Sequence, residues 1–117
     1  MSYALAIRLA PEPVRSLAFG AISGAYMGIG TAFSHPIRII MIQNLTDVSL
    51  MFSFDGVDDH VPLPGSGFLL LDVSTNKGTS NGFYIAEGTR IYVRDLGAPA
   101  TVGSVYVSVF YADGGGN

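Results

Sequence analysis

The 117-residue chain is 49% apolar and only 13% charged, with a net charge of −3 and no cysteine. Disulfides, thiolate metal centres and a cysteine nucleophile are therefore excluded, and six dispersed cations leave no electrostatic footprint for nucleic acid. Soluble domains average about 25% charged residues, so the chain has apolar surface in excess, which predicts cover by partner subunits. No apolar run reaches the roughly 18 residues a membrane helix needs. Arg8 interrupts the N-terminal apolar run and no cationic segment precedes it, so synthesis in the cytoplasm without export is expected.

Residues 1–20 read as a separate N-terminal arm. Pro11 and Pro13 flank Glu12 and forbid a continuous helix. Leu5, Ile7, Leu9, Val14, Leu17 and Phe19 are too apolar for a solvated tail. They predict an extended arm laid on a neighbouring subunit.

Residues 21–112 punctuate themselves into short strands. "SGAYMGIGTAF" is a glycine-rich first segment. "PIRIIMIQN" (36–44) is β-branched and apolar on both faces, the pattern of a central strand that begins at a proline. "VSLMFSF" (48–54) alternates, with Val48, Leu50, Phe52 and Phe54 on one face and Ser49, Met51 and Ser53 on the other. "FLLLDV" (68–73) and "FYIAEG" are further strands, separated by the polar loop "STNKGTSNG". "TRIYVRD" turns Ile91 and Val93 inward and Arg90, Tyr92 and Arg94 outward. "SVYVSVFY" (104–111) puts Val105, Val107, Val109 and Tyr111 on one face, and residues 113–117 form a flexible glycine-rich tail. About six to eight short antiparallel strands, with loops every 8 to 12 residues, predict an all-β fold of the β-sandwich or jelly-roll kind.

The acidic stretch "FSFDGVDDHVPLP" (52–64) is the one place that invites a chemical reading. An EF-hand register started at Asp55 puts Val57 at the third position and Ser66 at the twelfth, so two ligands are missing. His35 and His60 are too far apart in sequence for a zinc motif. Asp58 and Asp59 are adjacent and point apart in an extended chain, and no Gly-x-Ser-x-Gly elbow is present. A calcium site built from Asp55, Asp58 and Asp59 is the remaining metal reading. The turn reading explains every residue: Asp55-Gly56 is a strong turn pair, and Pro62 and Pro64 stiffen the exit. No catalytic residue, cofactor or metal site follows, and the chain is not expected to be an enzyme.

Exposed tyrosine and arginine anchor many interfaces, so Arg90, Tyr92, Arg94 and Tyr106 join the apolar arm residues as candidate contacts. "NLT" at Asn44 matches a glycosylation acceptor but reads as a turn in a chain that is not exported.

The runs "QNLTD", "FSFDG" and "GFLLLD", with "FYIAEGTRIYV" and "GSVYVSVFY" after them, resemble small all-β virion structural proteins of tailed bacteriophages. The likeness spans about residues 35–111 and leaves the arm outside. It implies a particle protein in many symmetric copies, assembled in the host cytoplasm. Its partners would be the major capsid protein or other virion proteins, and itself as a homo-oligomer, with neither nucleic acid nor membrane. A capsid decoration (cement) protein is the first expectation and a ring component of the head–tail junction or tail the second. A carbohydrate-binding or host-recognition module is a third, disfavoured by the absence of tryptophan.

Overall fold

Two long runs rich in valine and isoleucine set the framework, because β-branched side chains suit a half-buried pleated surface. The structure, a computed structural model, describes residues 8–73 and 84–113. Among these are nine strands: β1 (Arg8–Pro11), β2 (Arg15–Ala18), β3 (Met27–Gly28), β4 (Ile37–Thr46), β5 (Leu50–Ser53), β6 (Val61–Leu63), β7 (Phe68–Asp72), β8 (Tyr92–Asp95) and β9 (Gly103–Asp113). The fold is all-β, with a single short 3₁₀ turn at Phe19–Ala21 in the described residues. No helix among the described residues is long and apolar enough to cross a membrane.

The strands form two antiparallel sheets. One has the order β1-β9-β4-β7, with β2 also on β9; the other has the order β3-β8-β5-β6. If β1 and β2 are one edge strand broken at Glu12, the chain alternates between sheets in the order of an eight-stranded jelly roll, with β5 and β6 the one hairpin kept within a sheet. The core lies between the sheets. Ile37, Ile40, Ile42, Val105, Val107 and Val109 come from the first, Leu50, Phe52, Leu63 and Val93 from the second, and Ile22, Ile29, Phe33 and Ile91 from the connecting segments.

The alternating patterns at 48–54, 91–94 and 104–111 point as expected, except that Ser53 is fully buried. Other expectations change. Nine strands replace six to eight, and β4 and β9 are long. "SGAYMGIGTAF" contributes only the two residues of β3. "FYIAEG" supplies, in its described part, one bridge from Ile85 to Ile37. The segment after the acidic loop is itself strand β6, which tolerates Pro62 because it lies at a sheet edge.

The largest change concerns the N-terminal arm. Its described part does not stand apart: Arg8–Pro11 pairs with Phe110–Asp113, and Arg15–Ala18 pairs with Ser104–Val107, all within the same chain. An exposed backbone edge of β9 beside an apolar segment of the same chain satisfies both without a neighbour. The break at Pro11–Pro13 is the corner between the two short strands.

Asn44 is also placed differently. It sits inside β4 and is wholly buried. Its amide donates to the carbonyls of Val48, Leu63 and Pro64 at 2.9, 3.0 and 3.1 Å. Its carbonyl oxygen accepts from the Thr46 backbone N–H and hydroxyl. The residue ties the first sheet to β6 of the second. Asn44→Ala should lower stability by about 2 kcal/mol, because buried carbonyls lose their donor. Asn44→Asp should cost more, because a carboxylate would face those oxygens. Urea unfolding followed by circular dichroism measures both, and equal midpoints for the two variants would contradict the assignment.

Candidate functional site

The acidic loop between β5 and β6 is built on Ser53 and Asp55. The buried Ser53 hydroxyl donates to Asp55 Oδ1 at 2.8 Å and accepts from the Gly56 N–H at 2.9 Å. Asp55 Oδ1 also accepts from the N–H groups of Val57 and Asp58 at 2.8 and 2.9 Å. The backbone donors of Asp58 and Val57, with the Ser53 hydroxyl, hold the Asp55 carboxyl down at about 2. Gly56 turns at φ 78°, with the Tyr92 ring close to where a side chain would stand. His60 Nδ1 accepts from the Phe54 N–H at 3.0 Å.

The three aspartates do not act together. Asp59 turns to Arg94, with Oδ2 2.8 Å from the guanidinium, and accepts from the Tyr26 hydroxyl. The groups that converge are Asp55, Asp58 and His60, all exposed, with ligand atoms within 4.8 Å of one another. The bonds to Asp55 and His60 are those of a loop closed on its own backbone.

A second cluster has no signature in the sequence. Glu12 lies in the corner between β1 and β2 with its side chain only 3% exposed. It accepts from Arg15 at 2.7 Å and from the Ser34 N–H at 3.0 Å, and lies 2.7 Å from His35 Nδ1. Arg15 also donates to the carbonyls of Thr31 and Ala32. The His35 ring stacks on Tyr111 at 3.6 Å, nearly parallel. Burial alone would raise the Glu12 carboxyl, but His35, Arg15 and the Ser34 N–H outweigh it and hold it below its ordinary value. These residues line a pocket of about 480 Å³ together with Val14, Ser16 and Gly30. The cluster is charge-neutralised internally and joins β2, the 30–35 segment and β9.

The third feature is the outer face of the five-stranded sheet. Residues that alternate with the core point outward in register. Phe68, Gln43, Tyr106 and Ser16 form one cross-strand row; Leu70, Met41 and Ser108 form the next; Asp72, Ile39, Phe110 and Pro11 belong to a third. Leu9 and Leu45 extend the face at opposite ends. Phe68 is 61% exposed and Leu70 56%. Every strand among the described residues belongs to one of the two sheets, so none of them forms a further layer on this face. The sequence signal for it was a β4 apolar on both sides together with the leucine run of β7.

The residues singled out from the sequence fall in several places. Leu5 and Ile7 lie outside the described residues. Leu9 and Tyr106 stand on the outer face of the five-stranded sheet, whereas Leu17 packs against the chain's own core. Val14 and Phe19 are exposed beside β2. Arg90, Tyr92 and Arg94 belong to the other sheet or its approach. Arg90 donates to the Gly30 carbonyl at 2.7 Å and lies over Tyr92, while Arg94 joins Asp59 and lies over Tyr26. These two arginines fasten loops of their own chain.

No protein-family model, curated protein or solved structure matches the chain.

Glu12→Gln should destabilise the fold by about 3 kcal/mol, because it leaves the buried Arg15 without its counter-charge. Acid should weaken the native chain through the same group and through Asp55. Both folded-state carboxyls lie below their unfolded values, so their contribution is complete above the ordinary carboxylate range. It is lost as pH falls through the lowered values, for Asp55 at about 2. Urea midpoints measured from neutral pH downward should fall over that window, and less steeply in Glu12→Gln. A parallel decline in the variant would contradict the role given to Glu12.

Proposed function

We propose that the chain is a virion structural protein, a capsid decoration protein of a tailed bacteriophage. It docks on the assembled shell through the outer face of its five-stranded sheet. The observation that carries this reading is that face: Ile39, Met41, Leu45, Phe68, Leu70 and Phe110 on one side of a sheet, with no covering strand among the described residues. Contiguous apolar surface of this kind marks interaction sites. The low charge of the chain agrees with it, as does the likeness of residues 35–111 to small virion proteins. Jelly rolls serve in viral capsid domains, and also in lectins and cupins, so the architecture is compatible with the reading without assigning it.

The mechanism is linkage. A protein that binds the assembled lattice and not the dispersed subunits stabilises the lattice by the free energy of that binding. Apolar side chains already ordered on a rigid sheet lose little entropy on docking.

In purified particles, quantitative mass spectrometry should find the chain at a simple fraction of the major capsid protein. Met41→Glu should weaken shell binding at least about tenfold, as loss of a central interface contact does, with an unchanged circular dichroism spectrum. A copy number fitting a single ring would move the protein to the head–tail axis, and absence from particles would remove the virion reading altogether.

A further inference from the structure

The open edges of the two sheets are not alike. Isolated edge strands invite pairing with other chains, and proteins blunt them with proline, charge, bulges or short length. Three edges of this molecule are blunted. The β1–β2 edge carries Pro11 and Pro13 with Arg8 and Arg15. The β3 edge is two residues long, and the β6 edge is three residues with Pro62 at its centre. The β7 edge has five residues, Phe68-Leu69-Leu70-Leu71-Asp72, in a regular register without proline, lysine or bulge.

The ladder shows which backbone groups that edge presents. The Asn44 N–H donates to the Gly67 carbonyl and the Val73 N–H to the Arg38 carbonyl, so odd-numbered residues of β7 face β4. The N–H and C=O groups of Phe68 and Leu70 therefore point away from the sheet, and neither has a hydrogen-bond partner among the described residues. The side chains beside them are exposed: Phe68 and Leu70 on the outer face, Leu71 on the inner.

We propose that β7 is a self-association edge, and that a second copy of this chain pairs with it antiparallel about a two-fold axis through Leu70. The three central positions, Leu69 to Leu71, are self-complementary in that register, and Phe68 stands opposite Asp72 of the partner subunit at each end. Leu70 exchanges both backbone bonds with Leu70 of the partner subunit, which uses the outward groups described above. On the inner face Leu69 stands opposite Leu71 of the partner subunit. Leucine meets leucine on both faces, and no charged residue lies among the three central positions. A foreign strand would need to supply that match; a second copy has it already. Because the contact is isologous, one pairing consumes both edges and growth stops at a dimer. The two five-stranded sheets then become one continuous sheet with a single outer face. The inference stands apart from the virion reading, since an edge can pair whatever the face binds.

The test is the oligomeric state of the full-length protein by sedimentation equilibrium, beside two substitutions. Leu70→Pro removes an N–H that β4 does not use, and Leu70→Lys adds the charge that guarded edges carry. The wild type should be a dimer at micromolar concentration. Both variants should be monomers with an unchanged circular dichroism spectrum and melting temperature within a few degrees. A Leu70→Cys variant, in a chain with no other cysteine, should be captured by a short bis-maleimide as a covalent dimer. Leu9→Cys, on the opposite edge of the same sheet, should not. A monomeric wild type would overturn the proposal and leave the edge for a foreign strand. Dimers that persist in both Leu70→Pro and Leu70→Lys, or equal cross-linking at positions 9 and 70, would also overturn it.

Discussion

The antiparallel ladder that runs from Ile37–Tyr111 to Thr46–Gly103 passes through the middle of the five-stranded sheet, and every other strand of that sheet pairs with one of its two members. Its register decides which residues enter the core, because a shift by one residue would turn Ile40, Ile42, Val105, Val107 and Val109 outward. The register is held at both ends. At one end Gly103 adopts φ 92° and its Cα lies so close to the Leu45 carbonyl that a side chain could not be accommodated. At the other end a register shift between Ile37 and Ile39 re-aims the strand, and His35 stacks on Tyr111 under the hold of Glu12. The Glu12 backbone N–H also donates to the Val109 carbonyl. Glu12 is thus a buried charge whose position matters to three segments at once.

The two outer faces of the sandwich are built from different chemistry. On the four-stranded sheet Arg94, Asp59 and Tyr26 form a polar clasp over the acidic loop, and Arg90 covers Gly28 and reaches the Gly30 carbonyl. Arginine suits this work because its planar fork donates in several directions while its flat face lies over aromatic rings. The described interactions place no comparable clasp over the centre of the five-stranded sheet's outer face. Among the described residues the two outer faces therefore differ, one crossed by an ion pair and the other lined mainly by apolar side chains.

Much of this was legible in the sequence where structure is local. Period-two alternation identified the buried faces of Leu50 and Phe52, of Ile91 and Val93, and of Val105, Val107 and Val109. The Asp55-Gly56 pair marked the turn, and the doubly apolar 36–44 run marked a central strand. What failed was long-range. Nothing near Arg8–Pro11 or Arg15–Ala18 says that their partner is β9, at the far end of the same chain, so an apolar segment broken by prolines looked like an arm meant for a neighbour. Asn44 looked like a turn residue because its partners, Leu63 and Pro64, belong to the other side of the sandwich. Glu12 and His35 are ordinary residues apart, and only the fold brings them to 2.7 Å. The acidic loop misled in the opposite way, since three neighbouring aspartates in sequence serve different partners in space.

The low charge of the chain acquires a location once these partners are known. Of its few ionic groups, Glu12 and Arg15 are sealed in one corner, Asp59 and Arg94 clasp a loop, Asp55 closes a turn, and Asp47 receives both the N–H and the hydroxyl of Thr101. Charges committed to loop geometry in this way do little to solvate a distant sheet face. The outer face of β7, β4 and β9 meets water through Gln43, Ser104, Ser108 and the Tyr106 hydroxyl, with Asp72 at its margin, against phenylalanine, leucine, isoleucine and methionine around them. A monomer can carry such a face only at the cost of leaving it wet, and apolar area left wet contributes nothing to stability, whereas each square ångström covered contributes about 25 cal/mol. The physical pressure toward assembly on this face therefore comes from how the charges are placed as much as from how few there are.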